Sequence, residues 1–275
     1  MPELPEVETV RRGLQEKLAG ATIKAVKVLR PASVGYPGTD EFSRLLKGRK
    51  FNQVSRRGKY LLLNLSEDTG MVAHLRMSGR LLVMNAGAPE PAHVRIRLSL
   101  NDGRKLIFDD TRVFGRLWCV PSGLMFEDVV PSLKLLGPEP LEGLDPEHLR
   151  SSFSGKIQCI KTALLDQTII AGIGNIYADE SLHRAGINPT RAAGDLSKAE
   201  LKKLSTGIVI VLSNAIEAGG STLRDYTDAS GVNGNYQHEA LVYGRKDEPC
   251  RKCKSSIQRI KLNGRSTHFC PKCQR

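Results

Sequence analysis

Near its end the chain carries two Cys-x-x-Cys pairs, Cys250/Cys253 and Cys270/Cys273, separated by 16 residues. No other feature constrains the fold as tightly. Each pair reads as a knuckle, and four thiolates at this spacing complete a tetrahedral zinc ribbon. With every coordination position filled by sulfur, none is left for water, so the single zinc is structural and not catalytic. Between the knuckles, Asn263-Gly264 tolerates positive φ and predicts the tight turn of a β-hairpin, with Arg265 just past its tip. Disulfides or a redox pair are the alternative, and they are the poorer choice for two spaced pairs in an intracellular chain. Cys119 and Cys159 read as buried, inert thiols; His268 could replace a ligand, but four cysteines suffice.

An intracellular compartment is the expectation. Glu3, Glu6 and Glu8 stand where a secretory signal needs a basic stretch followed by an apolar one. No apolar run approaches the roughly 18 residues of a membrane helix. Against 29 Asp and Glu stand 41 Lys and Arg, a net charge of +12. A folded chain this basic suggests a polyanionic partner, although a solvated basic surface or ribosome association would explain the charge equally well.

Residues 21–121 read mainly as strands, with apolar or alternating runs at 60–65, 71–74 and 81–84. The clearest hairpin alternates Val94, Ile96, Leu98 and Leu100, turns at Asn101-Asp102-Gly103 and returns through Leu106 to Phe108. This pattern predicts a β-sandwich. Stretches 31–39 and 85–93 read as loops. Breakers at Gly137, Pro138, Pro140 and Gly143 place a linker over 132–150. Beyond it, Leu201, Leu204, Ile208, Val211, Leu212 and Ala215 share one helical face behind a capping box at Ser197. An earlier helix is expected to run from Asn175 to near Gly186.

At the other terminus, Val7, Val10, Leu14 and Leu18 recur at helical spacing, with Pro5 near the first turn and Gly20 beyond the end. An ordinary capped helix explains everything from Pro5 onward, but not Pro2. Removal of Met1 would expose a secondary amine able to attack an aldehyde carbon, and the resulting iminium could not shed its charge to become a neutral imine. Glu3 would then be placed for proton transfer.

Pro2-Glu3-Leu4-Pro5-Glu6-Val7-Glu8, together with the terminal zinc ribbon, resembles the bacterial formamidopyrimidine-DNA glycosylases, the 8-oxoguanine DNA glycosylases of the formamidopyrimidine-DNA glycosylase/endonuclease VIII superfamily. The resemblance runs nearly end to end. It is carried further by segments 56–61, 74–79, 110–115, 172–178 and 265–270. It implies an α+β protein of two domains: an N-terminal β-sandwich preceded by a helix, and a C-terminal helical domain of helix-two-turn-helix type ending in the zinc-ribbon β-hairpin. The boundaries expected are 1–131 for the catalytic sandwich, 132–150 for the linker, 151–240 for the helical DNA-binding domain with its lesion-capping loop, and 241–275 for the zinc finger.

What the resemblance implies in function is a bifunctional DNA glycosylase and abasic-site lyase of base excision repair. It would act as a monomer in the bacterial cytoplasm on double-stranded DNA holding oxidised bases or abasic sites, with DNA in the cleft between the domains. Pro2 would be the nucleophile at C1′, Glu3 the general acid/base, and Lys59 an assisting contact near the lesion. A Schiff base at Pro2 would lead to β,δ-elimination. Asn175, Arg265 and His74 would hold the phosphate backbone. Met77, Arg112 and Phe114 would fill the void left by the extruded nucleotide, with Arg112 bonding to the orphaned cytosine. Ser221, Arg224 and Tyr226 would belong to a loop capping the purine. The four cysteines would hold zinc.

Each residue also has a plainer reading. Glu3 reads as a helix-dipole carboxylate, Lys59 as a solvated lysine, Asn175 as an N-cap and Arg265 as an exposed hairpin charge. His74 reads as a hydrogen-bonded core histidine, Met77 and Phe114 as core, and Arg112 as a surface ion partner. Arg76, beside Met77, adds a charge where many relatives have a small residue. Two rival functions share many of these features. An endonuclease VIII-like enzyme for oxidised pyrimidines typically carries Gly where this chain has Leu4, and a non-catalytic zinc-ribbon DNA-binding protein would place no demand on Pro2 or Glu3.

Overall fold

The computed structural model describes residues 1–221 and 236–275, which form two compact units. The first spans Met1–Lys134 and is joined by residues 219–221; the second spans Leu135–Ala218 and Tyr236–Arg275.

In the first unit, α1 (Leu4–Leu18) leads into nine strands: β1 (Ile23–Val28), β2 (Val34–Tyr36), β3 (Phe51–Arg57), β4 (Tyr60–Leu65), β5 (Gly70–His74), β6 (Gly79–Met84), β7 (Val94–Leu100), β8 (Lys105–Asp110) and β9 (Arg116–Val120). Helix α2 (Thr39–Leu46) precedes β3, and α3 (Phe126–Val129) follows β9. One sheet is ordered β1-β7-β8-β6 and the other β2-β9-β5-β4-β3. All pairings are antiparallel except β2 with β9. Alternation decides which side chains enter the core: Leu61, Leu63 and Leu65 of β4, Ile96, Leu98 and Leu100 of β7, and Leu106 and Phe108 of β8 are buried in one cluster. The stripe Val7, Val10, Leu14 and Leu18 lays α1 against the same cluster. A buried ion pair fixes α1 to β3: Glu8 holds Arg56 at 3.2 Å and also binds Arg11 and Arg12. Burial alone would raise the Glu8 pKa, but the hydrogen bonds and charges of these arginines outweigh it and leave the pKa lowered.

The chain crosses between sheets twice along neighbouring strands. β5 passes to β6 through residues 75–78, and β8 passes to β9 through residues 111–115. Because β5 pairs with β9 and β6 with β8, the two crossovers run side by side.

The second unit contains α4 (Pro146–Phe153), α5 (Ile160–Leu164), α6 (Asn175–Ala185), α7 (Lys198–Glu217) and the hairpin of β10 (Gln258–Leu262) and β11 (Arg265–Phe269). Helix α6 ends at Gly186, left-handed at φ 75°. Helix α7 begins at Ser197 with the capping box its sequence prescribes. Asp145 caps α4 by accepting from Glu147 N, so helix begins before residue 150, inside the stretch read as linker. Among the described residues no helix is long and apolar enough to cross a membrane.

Candidate active site

In the first unit, burial and hydrogen bonds lock the chain start. Pro2 is buried and Glu3 is 2% exposed at the N-cap of α1. The Glu3 backbone N–H donates to Glu6 Oε2 at 2.8 Å, and Ser221 N donates to Glu6 Oε1 at 2.7 Å. Glu6 thus ties the start of α1 to residue 221. Gly220 makes this approach possible: at φ +79° a Cβ there would stand 3.1 Å from Glu6 Oε1. Ser221 is therefore placed beside the chain start; Arg224 and Tyr226 lie outside the described residues.

Lys59 occupies the two-residue turn joining β3 to β4, where Gly58 supplies the positive φ of 55°. It is 7% exposed and so is not the solvated lysine of the plainer reading. Its charge reaches His74, at the end of β5. Burial, then Arg76, then Lys59 hold the His74 pKa down at about 3. Since Nδ1 accepts from Arg76 N at 3.0 Å, the neutral ring carries its proton on Nε2. Tyr60 packs edge-on against it at 4.5 Å.

The paired crossovers carry Met77, Arg112 and Phe114, and bring the first two into contact. Met77 is 43% and Phe114 54% exposed, so neither is core. Arg112 makes no ion pair among the described residues; its Nη1 lies 3.2 Å from Met77 Sδ. A large apolar pair presented to water beside an unneutralised guanidinium suits insertion into a stack of bases.

In the second unit, Asn175 is the first residue of α6, while the N-cap is Gly174, so the plain N-cap reading gives way. Its Nδ2 donates to Ser266 O at 3.0 Å and to Tyr243 Oη at 3.3 Å, which places it beside Arg265. Asn263 and Gly264 make the hairpin turn with φ 45° and 78°, and Asn263 Nδ2 pins the tip to Thr162 Oγ1. Arg265 is exposed at the start of β11.

Four thiols gather at the base of this hairpin. Cys250, Cys253, Cys270 and Cys273 place their sulfurs within 4.8 Å of one another. The separations 3.4 Å (Cys253 to Cys270) and 3.9 Å (Cys250 to Cys273) bracket the edge of about 3.8 Å that tetrahedral zinc–sulfur bonds near 2.3 Å require. The residues fit one zinc, which would cross-link the hairpin and take no part in the reaction. Cys119 is buried, and that burial pushes its thiol up to about 12. Cys159 is only half-buried, with Sγ 2.9 Å from Thr162 Oγ1.

Several polar groups escaped the reading of the sequence. Asp179 and Glu180 are buried in α6. Asp179 pairs with buried Lys161 at 2.7 Å and accepts from His268 N, while Lys161 Nζ donates to Ser266 O. Glu180 accepts from the backbone N–H groups of residues 241–243. Asp179 had a faint signal, as polar residues at positions 175, 179 and 183 form one stripe of a helix read only for its ends, and Glu180 lies off that stripe.

Comparison with known proteins finds relatives along the whole chain. Residues 1–117 match the formamidopyrimidine-DNA glycosylase N-terminal domain, 136–227 the formamidopyrimidine-DNA glycosylase H2TH domain, and 247–275 the zinc finger found in FPG and IleRS. A formamidopyrimidine-DNA glycosylase from Gloeobacter violaceus is 51% identical, over 100% of this chain and 98% of that protein. One from Pelotomaculum thermopropionicum is 46% identical, over 100% and 99%. Among solved structures, a Lactococcus lactis Fpg variant bound to Fapy-dG-containing DNA superposes with TM-score 0.91 at 37% identity, covering 100% of both chains. Lactococcus lactis Fpg bound to DNA with an abasic site gives 0.91 at 37%, covering 99% of each.

Proposed function

The chain belongs to the formamidopyrimidine-DNA glycosylase family, and from that premise we propose that Pro2, Glu3 and Lys59 carry its removal of oxidised purines from double-stranded DNA. The observation that carries this assignment is the locked chain start: a buried Pro2 and Glu3 held at the N-terminus of α1 by Glu6.

Removal of Met1 frees the secondary amine of Pro2. Its nitrogen forms a bond to C1′ of the damaged nucleotide while the glycosidic bond breaks and the base leaves with a proton. The sugar opens to an iminium, which keeps its charge because the proline nitrogen has no further proton to lose. That charge acidifies the 2′ proton, whose loss expels the 3′ phosphate; a second elimination expels the 5′ phosphate, and hydrolysis returns Pro2. Glu3 moves protons at the sugar, with the α1 dipole supporting its negative form. Lys59, buried in its turn, supplies fixed positive charge near the lesion. His74 Nε2, the Asn175 end of α6 and Arg265 hold phosphates. Met77, Arg112 and Phe114 fill the vacated stack, and Ser221 opens the segment that would cap the extruded purine. Cys250, Cys253, Cys270 and Cys273 would hold zinc, and so cross-linked the hairpin would present Arg265 rigidly. With DNA as substrate, the place of action is the cytoplasm, at the nucleoid.

Borohydride trapping tests the nucleophile. Protein freed of Met1 is mixed with a duplex bearing 8-oxoguanine opposite cytosine, reduced, and mapped by peptide mass spectrometry. A covalent adduct at Pro2 is expected. An adduct at Lys59, or none even with an abasic-site duplex, overturns the assignment.

A further inference from the structure

Asp110 closes β8 with its side chain completely buried, and both carboxylate oxygens are given to the two crossovers. Oδ1 accepts from Ser78 Oγ at 2.5 Å and from Arg112 N at 3.1 Å, while Oδ2 accepts from Gly115 N at 2.8 Å. Arg112 N is shared with Ser78 Oγ at 3.2 Å. One carboxylate therefore closes both ends of the 111–115 turn and fastens the neighbouring turn one residue past Met77. The apolar side is equally tight. Cβ atoms placed on Gly79 and Gly115 would stand 3.1 Å and 2.7 Å from the ring of buried Phe108, so both turns end where only glycine fits. Between these fixed ends, Val113 is held at φ 58° and Arg76 at φ 54°. A β-branched residue adopts the left-handed region only where its surroundings over-determine it.

We infer that Asp110 is a positioning residue for opposite-strand recognition: through Ser78 and the 111–115 backbone it presets Met77, Arg112 and Phe114 for insertion into the duplex. The inference rests on the reading of those three residues given above. Side chains that must replace an extruded nucleotide gain from being ordered beforehand, because ordering them on binding costs affinity. A carboxylate is the group required. Its oxygens only accept, and all three partners donate; asparagine would turn an N–H₂ toward one of those donors and lose a buried bond.

The test compares Asp110→Asn, Ser78→Ala, Arg112→Ala and the Asp110→Asn/Arg112→Ala double variant in single-turnover excision of 8-oxoguanine opposite cytosine and opposite adenine. A single-stranded abasic oligonucleotide, with no void to fill and no opposite base, reports the chemistry at the chain start. Asp110→Asn and Ser78→Ala are expected to slow excision opposite cytosine about tenfold and to lower the cytosine-to-adenine ratio as Arg112→Ala does. Cutting of the single strand should stay within about twofold. The double variant should have the same ratio as Arg112→Ala alone, because both changes remove one function. If Asp110→Asn does not fold, Ser78→Ala, which removes a single hydroxyl, decides. An unchanged ratio in Ser78→Ala and Asp110→Asn, with a lowered ratio in Arg112→Ala, overturns the role of Asp110 and leaves the triad standing. An unchanged ratio in Arg112→Ala overturns the triad and this inference with it.

Discussion

His74, the phosphate contact proposed above, shows how much of such a contact would be decided before DNA arrives. A protonated histidine would attract a phosphate more strongly, yet burial and the charges of Arg76 and Lys59 keep the ring neutral down to about pH 3. What remains is a neutral Nε2–H donor, oriented by Arg76 N on one side and packed on Tyr60. Such a donor has one direction and one partner, which suits holding a phosphate in register. The same burial carries a stability cost at low pH. Unfolded, the ring would protonate near 6.5; folded, it resists until about 3. Between these values the unfolded chain binds the extra proton, so stability is present above about 6.5 and falls as pH drops, by about 1.4 kcal/mol per pH unit. His74→Asn keeps an acceptor for Arg76 N and does not titrate. Urea unfolding between pH 7 and pH 4 should show a shallower decline for the variant; parallel curves would refute the neutral, buried ring.

At the scale of elements, the sequence disclosed best what is periodic or punctuated. The alternation at 94–100, the turn at Asn263-Gly264 and the capping box at Ser197 all appear where their residues put them. Helix α2 did not show, because its apolar residues Phe42, Leu45 and Leu46 are too few to stand out beside a stretch already read as loop. Interior polarity was hidden for a different reason. Asp179 makes sense only with Lys161 on α5 and His268 on β11, and Glu180 only with the backbone at 241–243, so no local window contains the partner. Through this network α6 acts as a frame for the hairpin: Asn175 and Lys161 both hold Ser266 O, the carbonyl next to Arg265. Lys161→Met should strand a buried carboxylate and cost about 3–5 kcal/mol in the zinc-loaded protein, measured by urea unfolding. Lys161→Met/Asp179→Asn removes the charge while keeping an acceptor for His268 N, and should recover most of that loss. Equal instability of the two variants would show that packing, not charge, is what Lys161 provides.

For the whole molecule, the net charge of +12 shows that a polyanion is a fitting partner but not which residues meet it. The proposed roles divide the exposed cations by task. Arg265 stands on a hairpin braced by α5, α6 and the four cysteines, a rigid point charge suited to a phosphate. Arg112 stands on a crossover turn beside Met77, placed to meet a base edge. The motif segments carried both residues in the sequence, whereas the division of labour proposed for them rests on a strand order that puts the crossovers side by side and on a hairpin packed against α6. Salt titration of binding separates the two tasks. Each phosphate neutralised contributes about 0.9 to the slope of log affinity against log salt. Arg265→Ala should therefore reduce that slope by about one and weaken all duplexes alike, damaged or intact. Arg112→Ala should leave the slope nearly unchanged while narrowing the preference for a lesion opposite cytosine. If Arg112→Ala instead lowers the slope by a full unit without altering the preference, that guanidinium meets the backbone, and the base-reading role belongs elsewhere on the crossovers.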